Sequence, residues 1–305
     1  MVYYICMKKV WNNGPLLIII AASLWAVDGI VRRSLYSLPP SVIVFFEHLI
    51  GSILLFPIVS KGFKKEKLNA KEWAAIGTVS LFSGLLGTLL FTSALLMTNY
   101  ISFSVVFLLQ KLQPIFAIIT ARILLKEKLN KQYILWAIVA LISAYFITFP
   151  KGVVNFNTGD KTFIAALCAF GAAVAWGSTT AFSRYTLLKH NDTYITALRF
   201  WITTVLAFIL VLIMGQQSAA SSVTWSQFAQ FTFIAFSTGM VGLLIYYKGL
   251  KKTPVQISTI LELTFPFLAV MIDVVLYKSI LVPVQIGAAL VLVFSMYKIG
   301  SLQKI

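Results

Sequence analysis

Apolar runs of membrane-spanning length recur along nearly the whole chain, and nothing else in the sequence constrains its fold as strongly. A helix that crosses the hydrocarbon of a bilayer needs about 20 mostly apolar residues. Ten runs approach or exceed that length: 15–37, 40–60, 72–96, 100–125, 131–149, 162–187, 193–214, 226–248, 254–277 and 282–299. The segments between them are too short for a soluble domain. Backbone groups in lipid must bond within their own helix or in a closed barrel. The pattern therefore predicts an all-α membrane protein of ten transmembrane helices, with residues 1–305 as a single membrane domain. Charged residues make up 11% of the chain, against about 25% in a soluble domain. That deficit excludes an ordinary soluble enzyme.

The net charge of +16 would suit nucleic acid if the cations formed one basic face. They cluster instead at the ends of the apolar runs, where they set orientation. With the N-terminus in the cytoplasm, the inner segments hold 17 Lys and Arg and the outer segments hold 5. Both termini are therefore expected in the cytoplasm, with no nucleic-acid partner. Cys6 and Cys168 have no metal-type spacing, and His48 and His190 are the only histidines. No metal site, cofactor or structural disulfide is expected. No cleavable signal is evident at the start of the sequence, so the default location is a bacterial inner membrane.

The chain also resembles itself. The stretch "AASLWAVDGIVRRSLY" matches "AAVAWGSTTAFSRYTL", pairing Trp25 with Trp176 and Arg33 with Arg184 at an offset of 151. Gly84, Gly87, Phe91 and Leu95 pair with Gly239, Gly242, Tyr246 and Leu250 at 155. Gln110, Pro114, Ala117 and Lys126 pair with Glu262, Pro266, Ala269 and Lys278 at 152. Two repeats follow, 15–149 and 162–300. Each holds five helices, an odd number, so the second enters the membrane inverted. The loop charges agree: five lysines lie between helices two and three, and none in the partner loop "GQQSAASSVTWSQ". Inverted repeats are a common basis for alternating access in secondary transporters.

The stretch "LLQKLQPIFAIITARILLKEKLNKQYILWAIVALISAYFI" and its second copy, "LELTFPFLAVMIDVVLYKSILVPVQIGAALVLVFSMYKI", resemble the drug/metabolite transporter superfamily of the EamA type. The first copy carries that family's proline helix at Pro114, then Glu127 before a short turn. The second departs from it, with Ser279 where the family usually has Glu. The resemblance implies ten helices around a central cavity lined by helices one, three, four, six, eight and nine. It also implies movement of small metabolites, often amino acids.

Ionisable groups inside a membrane are costly, and they persist where they are paired, hydrated or used. Lys111 and Glu262 fall near the centres of helices four and nine, and Gln110 is the repeat mate of Glu262. Pro114 and Pro266 lie three or four residues further on, where each frees a carbonyl and kinks its helix. Gln110, Lys111, Gln113 and Glu262 are therefore expected on a cavity wall, binding solute. The alternative is a Lys111–Glu262 ion pair that locks two helices together. Asp28 either pairs with Arg32 four residues on or, like Glu262, carries a proton or meets a substrate ammonium. Trp25, Trp176, Phe91 and Tyr246 either pack the helices or bind a flat or cationic solute; Tyr246 is favoured over Phe91 for its hydroxyl. Glu47, His48 and Arg199 are expected to play a structural role, and Asp273 to be interfacial. The four repeat-matched glycines suit close helix packing.

The leading reading is a secondary transporter for a small polar metabolite, most naturally an amino acid or other amine. Carriage of a nucleotide, nucleotide-like cofactor or sugar phosphate is the alternative, and a channel or lipid-handling protein is a third. No HExxH or GxSxG motif supports an enzyme. The expected partners are the solute and the lipid bilayer, with a homodimer left open.

Overall fold

The computed structural model describes residues 11–33, 35, 37–97, 109–149, 151–153, 162–265, 267, 268, 271, 272 and 281–302. No strand occurs among the described residues. The helices are α1 (Gly14–Arg33), α2 (Pro40–Lys65), α3 (Ala70–Leu96), α4 (Gln113–Leu124), α5 (Lys131–Thr148), α6 (Thr162–Leu187), α7 (Asp192–Ile213), α8 (Trp225–Lys252), α9 (Val255–Leu261) and α10 (Pro283–Ser301). Seven of these (α2, α3, α5, α6, α7, α8 and α10) are long and apolar enough to cross a membrane. Shorter apolar stretches lie at Gly14–Asp28 and Gln113–Leu124. Pro266 and Asp273, and much of the expected fourth and ninth spans, lie outside the described residues.

Local chemistry sets the helix ends. Asn69 and Glu72 form a reciprocal capping box at the start of α3, which satisfies amide donors that have no partner within the helix. Asn191 caps α7 by accepting from Thr193 and Tyr194. α2 runs past the expected end at 60 to Lys65, and Lys64 and Lys65 occupy its last turn. Cations there complement the negative end of the helix dipole. The segment between α7 and α8, expected to be a loop, contains a single-turn helix, Gln217–Ser221.

Two central helices depart from the uninterrupted spans expected. In α3 the stretch Val79–Gly87 is π-helical. In α8 the helix breaks between Phe236 and Met240, where Ser237 has φ −118° and ψ −82°. By the 155-residue offset, Ser237 and Gly239 correspond to Phe82 and Gly84, so the two irregularities fall at matched places. Such irregular turns free carbonyls from the helix ladder and are frequent at functional sites.

The helices associate through small residues and fully buried apolar ones. Ala137, Ala140 and Ala144 of α5 share a buried cluster with Ala289, Leu292 and Met296 of α10. α2 packs on α7, α4 on α6, and α1 on the second limb of α8. Large apolar side chains cover the outside, among them Leu135 and Ile138 of α5 and Leu290 and Val293 of α10. Such a surface is stable facing lipid and would aggregate in water.

Candidate functional site

Where α1, α3, α4, α6, α8 and α9 converge they line a partly open cavity of about 240 Å3, with α2 and α7 also contributing to its wall. Two aromatic pairs flank it. Trp25 of α1 meets Tyr246 of α8 at 5.1 Å between ring centroids. Trp176 of α6 meets Phe91 of α3 at 5.3 Å. These are the residues matched by the repeat, and each tryptophan pairs with a ring from the other half of the chain. Matched glycines make room for them. A Cβ on Gly87 would sit 2.5 Å from Trp176 Nε1, and one on Gly242 would sit 3.0 Å from Trp25 Nε1. The π-helical turn completes the Trp176 seat, because Trp176 Nε1 donates to the Ser83 carbonyl at 3.0 Å.

A polar seam runs between α4 and α9. The chain makes a turn at Lys111–Leu112 before α4, and another at Glu262–Leu263 after α9. Pro114 occupies the first turn of α4, where a missing N–H costs nothing. Leu109 and Gln110 are helical ahead of the Lys111–Leu112 turn, so Pro114 follows a break between two helical stretches. Glu262 accepts from the Tyr246 hydroxyl at 2.6 Å and from Gln113 Nε2 at 2.9 Å. Gln110 and Thr259 line the cavity beside it. The Gln110 amide nitrogen and the Thr259 hydroxyl are buried without a hydrogen-bond partner among the described residues.

The charged groups form two further sets. Arg32 sits between two carboxylates, at 2.7 Å from Asp28 and 3.0 Å from Glu47. Thr238, in the break of α8, donates to Asp28 at 2.5 Å. The local Asp28–Arg32 pair is thus present and extended by Glu47. Arg199 donates to the Tyr247 hydroxyl at 2.7 Å and to the Ser83 hydroxyl at 2.8 Å. Arg199 forms no salt bridge among the described residues. His48 Nδ1 donates to the Val44 carbonyl at 2.9 Å.

Trp25, Asp28, Gln110, Gln113, Pro114, Trp176, Tyr246 and Glu262 all border the cavity. Lys111 does not. Its ammonium donates to the Ala144 carbonyl at 2.5 Å and to the Thr148 hydroxyl, both in the last turn of α5. The end of a helix supplies accepting oxygens and the negative end of the dipole, which explains why a lone cation turns that way. The Lys111–Glu262 ion pair is absent, and both groups have other partners. Glu47, His48 and Arg199, expected to play a structural role, also border the cavity. Their charge inside an apolar run was the signal, and assigning α2 and α7 to the periphery hid it. Ser83 and Tyr247 carried no signal in the sequence beyond being polar.

One further contact falls at Glu127, the position singled out by the family pattern. Its carboxylate accepts from Arg184 of α6 at 2.7 Å and from the Val255 and Gln256 amides at 3.1 and 3.3 Å. It therefore caps α9 and joins it to α6.

The model of the EamA-like transporter family matches residues 12–149 and again 163–300. The chain belongs to this family. It is a multi-pass membrane transporter. The riboflavin transporter ImpX of Fusobacterium nucleatum is 36% identical over 95% of this chain and 98% of its own length. Protein LicB of Haemophilus influenzae is 23% identical over 92% of this chain and 94% of its own. A crystal structure superposes on 95% of this chain and 97% of its own with a TM-score of 0.73 at 17% identity, a likeness of fold.

Proposed function

We propose that this transporter carries riboflavin, or a closely related flat heterocycle, across a bacterial inner membrane by alternating access around the aromatic cavity. The observation that carries the reading is the 36% identity to a riboflavin transporter along nearly the whole of both chains. The cavity chemistry supports it. Four aromatic rings flank a space of the kind a planar ring system fills by stacking. An amino acid would need a cation for its carboxylate, and Lys111, expected on the cavity wall, is engaged on α5. A flavin lies nearer to the nucleotide-like alternative.

In this reading the chain is two inverted five-helix repeats, 15–149 and 162–300, with cytoplasmic termini. The exchange of rings between matched positions supports it, as do the lysines on one side of the membrane. Asp28 is tied to a cation and Glu262 is held by neutral donors alone, so Glu262 is the stronger candidate for carrying a proton. Riboflavin uptake into proteoliposomes tests the function. Saturable uptake and counterflow are expected, insensitive to an excess of mixed amino acids. Absence of saturable riboflavin flux in correctly inserted protein overturns the proposal. Uptake indifferent to an imposed pH gradient removes the proton role of Glu262.

A further inference from the structure

The seam between α4 and α9 holds an acceptor with spare capacity beside a donor without a partner. An ionised carboxyl offers about four acceptor positions, and Glu262 uses two of them, for Tyr246 and Gln113. The Gln110 amide nitrogen is buried and unmatched among the described residues. Leaving a buried donor unmatched is costly, and native proteins rarely tolerate it without a reason. Gln110 lies three residues before Gln113, across the Lys111–Leu112 turn, and both side chains line the cavity. Gln113 is itself bonded to Glu262, and the free donor and the free acceptor open on the same cavity.

The aromatic wall fixes how a ring would meet this seam. Tyr246 meets Trp25 with the ring planes tilted by 52° and donates to Glu262 from its hydroxyl, in the plane of its own ring. A flat ligand lying against the Tyr246 ring presents its edge, not its face, to the carboxylate. We propose that the seam reads the ligand's ring edge, with Glu262 accepting a ring N–H and Gln110 donating to the carbonyl beside it. The ligand class is then a planar heterocycle carrying a carbonyl next to a ring N–H, as in a cyclic imide or lactam. The proposal deepens the flavin reading and rests on it. The flavin ring carries this pattern at N3–H, between its C2 and C4 carbonyls.

A change to the ligand tests the idea on unaltered protein. Purified transporter is titrated with riboflavin and with 3-methylriboflavin, which lacks the N–H, and quenching of tryptophan fluorescence is followed. Losing a hydrogen bond to a charged group is expected to weaken binding of the methylated ligand about ten- to a hundredfold. Gln110→Leu is expected to weaken both ligands about tenfold and leave the ratio between them unchanged. Equal affinities of wild-type protein for the two flavins overturn the seam proposal and leave the flavin reading standing. If folded protein, judged by a cooperative thermal transition, binds neither flavin, the flavin reading fails and the seam proposal falls with it.

Discussion

Replacing Gly87 with alanine perturbs the seat of Trp176 with a single methyl group. The added Cβ would lie 2.5 Å from Trp176 Nε1, 2.6 Å from its Cδ1 and 3.0 Å from the Phe82 carbonyl oxygen. Carbon contacts are comfortable at about 3.5–4.0 Å, so the indole must move by about 1 Å. Its hydrogen bond to the Ser83 carbonyl, 3.0 Å long, is lost in the move. Overpacking costs about 1–3 kcal/mol and the hydrogen bond about 1 kcal/mol. Alanine returns about 0.5–1 kcal/mol of helix propensity. The net expectation is destabilisation by about 1–3.5 kcal/mol. Gly242→Ala places its Cβ at 3.0 Å from Trp25 Nε1, a milder clash expected to cost about 1 kcal/mol. Gly77, in the first turns of α3, has nothing within 4 Å of its Cβ position, and alanine there should stabilise by up to about 1 kcal/mol. Thermal unfolding of the three variants in one detergent reads the order directly. Gly87→Ala should also bind riboflavin more weakly, because the displaced indole borders the cavity. Equal unfolding temperatures for Gly87→Ala and Gly77→Ala would refute the reasoning.

If riboflavin is the substrate, Lys111→Met should leave its binding and transport unchanged, since the ammonium faces α5; a transport-dead but folded variant would return Lys111 to the site. Arg32→Met leaves Asp28 and Glu47 unpaired beside each other and should cost about 3–5 kcal/mol in unfolding free energy, recovered in part by Arg32→Lys. Glu127→Gln removes the charge that binds Arg184 and caps α9. It should destabilise by about 2–3 kcal/mol, read as a lower unfolding temperature with riboflavin absent.

Much of the site was legible because the repeat marks it twice. Trp25 and Trp176 stood out as matched aromatics, and Gly87 and Gly242 as matched small residues. Reading them separately concealed that each glycine seats the other half's tryptophan. Gln110 and Glu262 were legible because polar groups next to a membrane proline need a hydrated setting. The direction of Lys111 was not legible. An intramembrane cation can be satisfied by a carboxylate or by the carbonyls at a helix end, and sequence spacing does not choose between them. The π-helical turn of α3 and the break of α8 also left no mark beyond the glycines. Backbone irregularity of that kind is set by what packs against it, here Trp176 at the Ser83 carbonyl and Asp28 at Thr238.

An experimental structure of the transporter with riboflavin bound tests the central claim most directly. The account predicts the tricyclic ring between the Trp25–Tyr246 and Trp176–Phe91 pairs, with an edge toward Glu262. Ligand density elsewhere, with those four rings packed on one another, would contradict it.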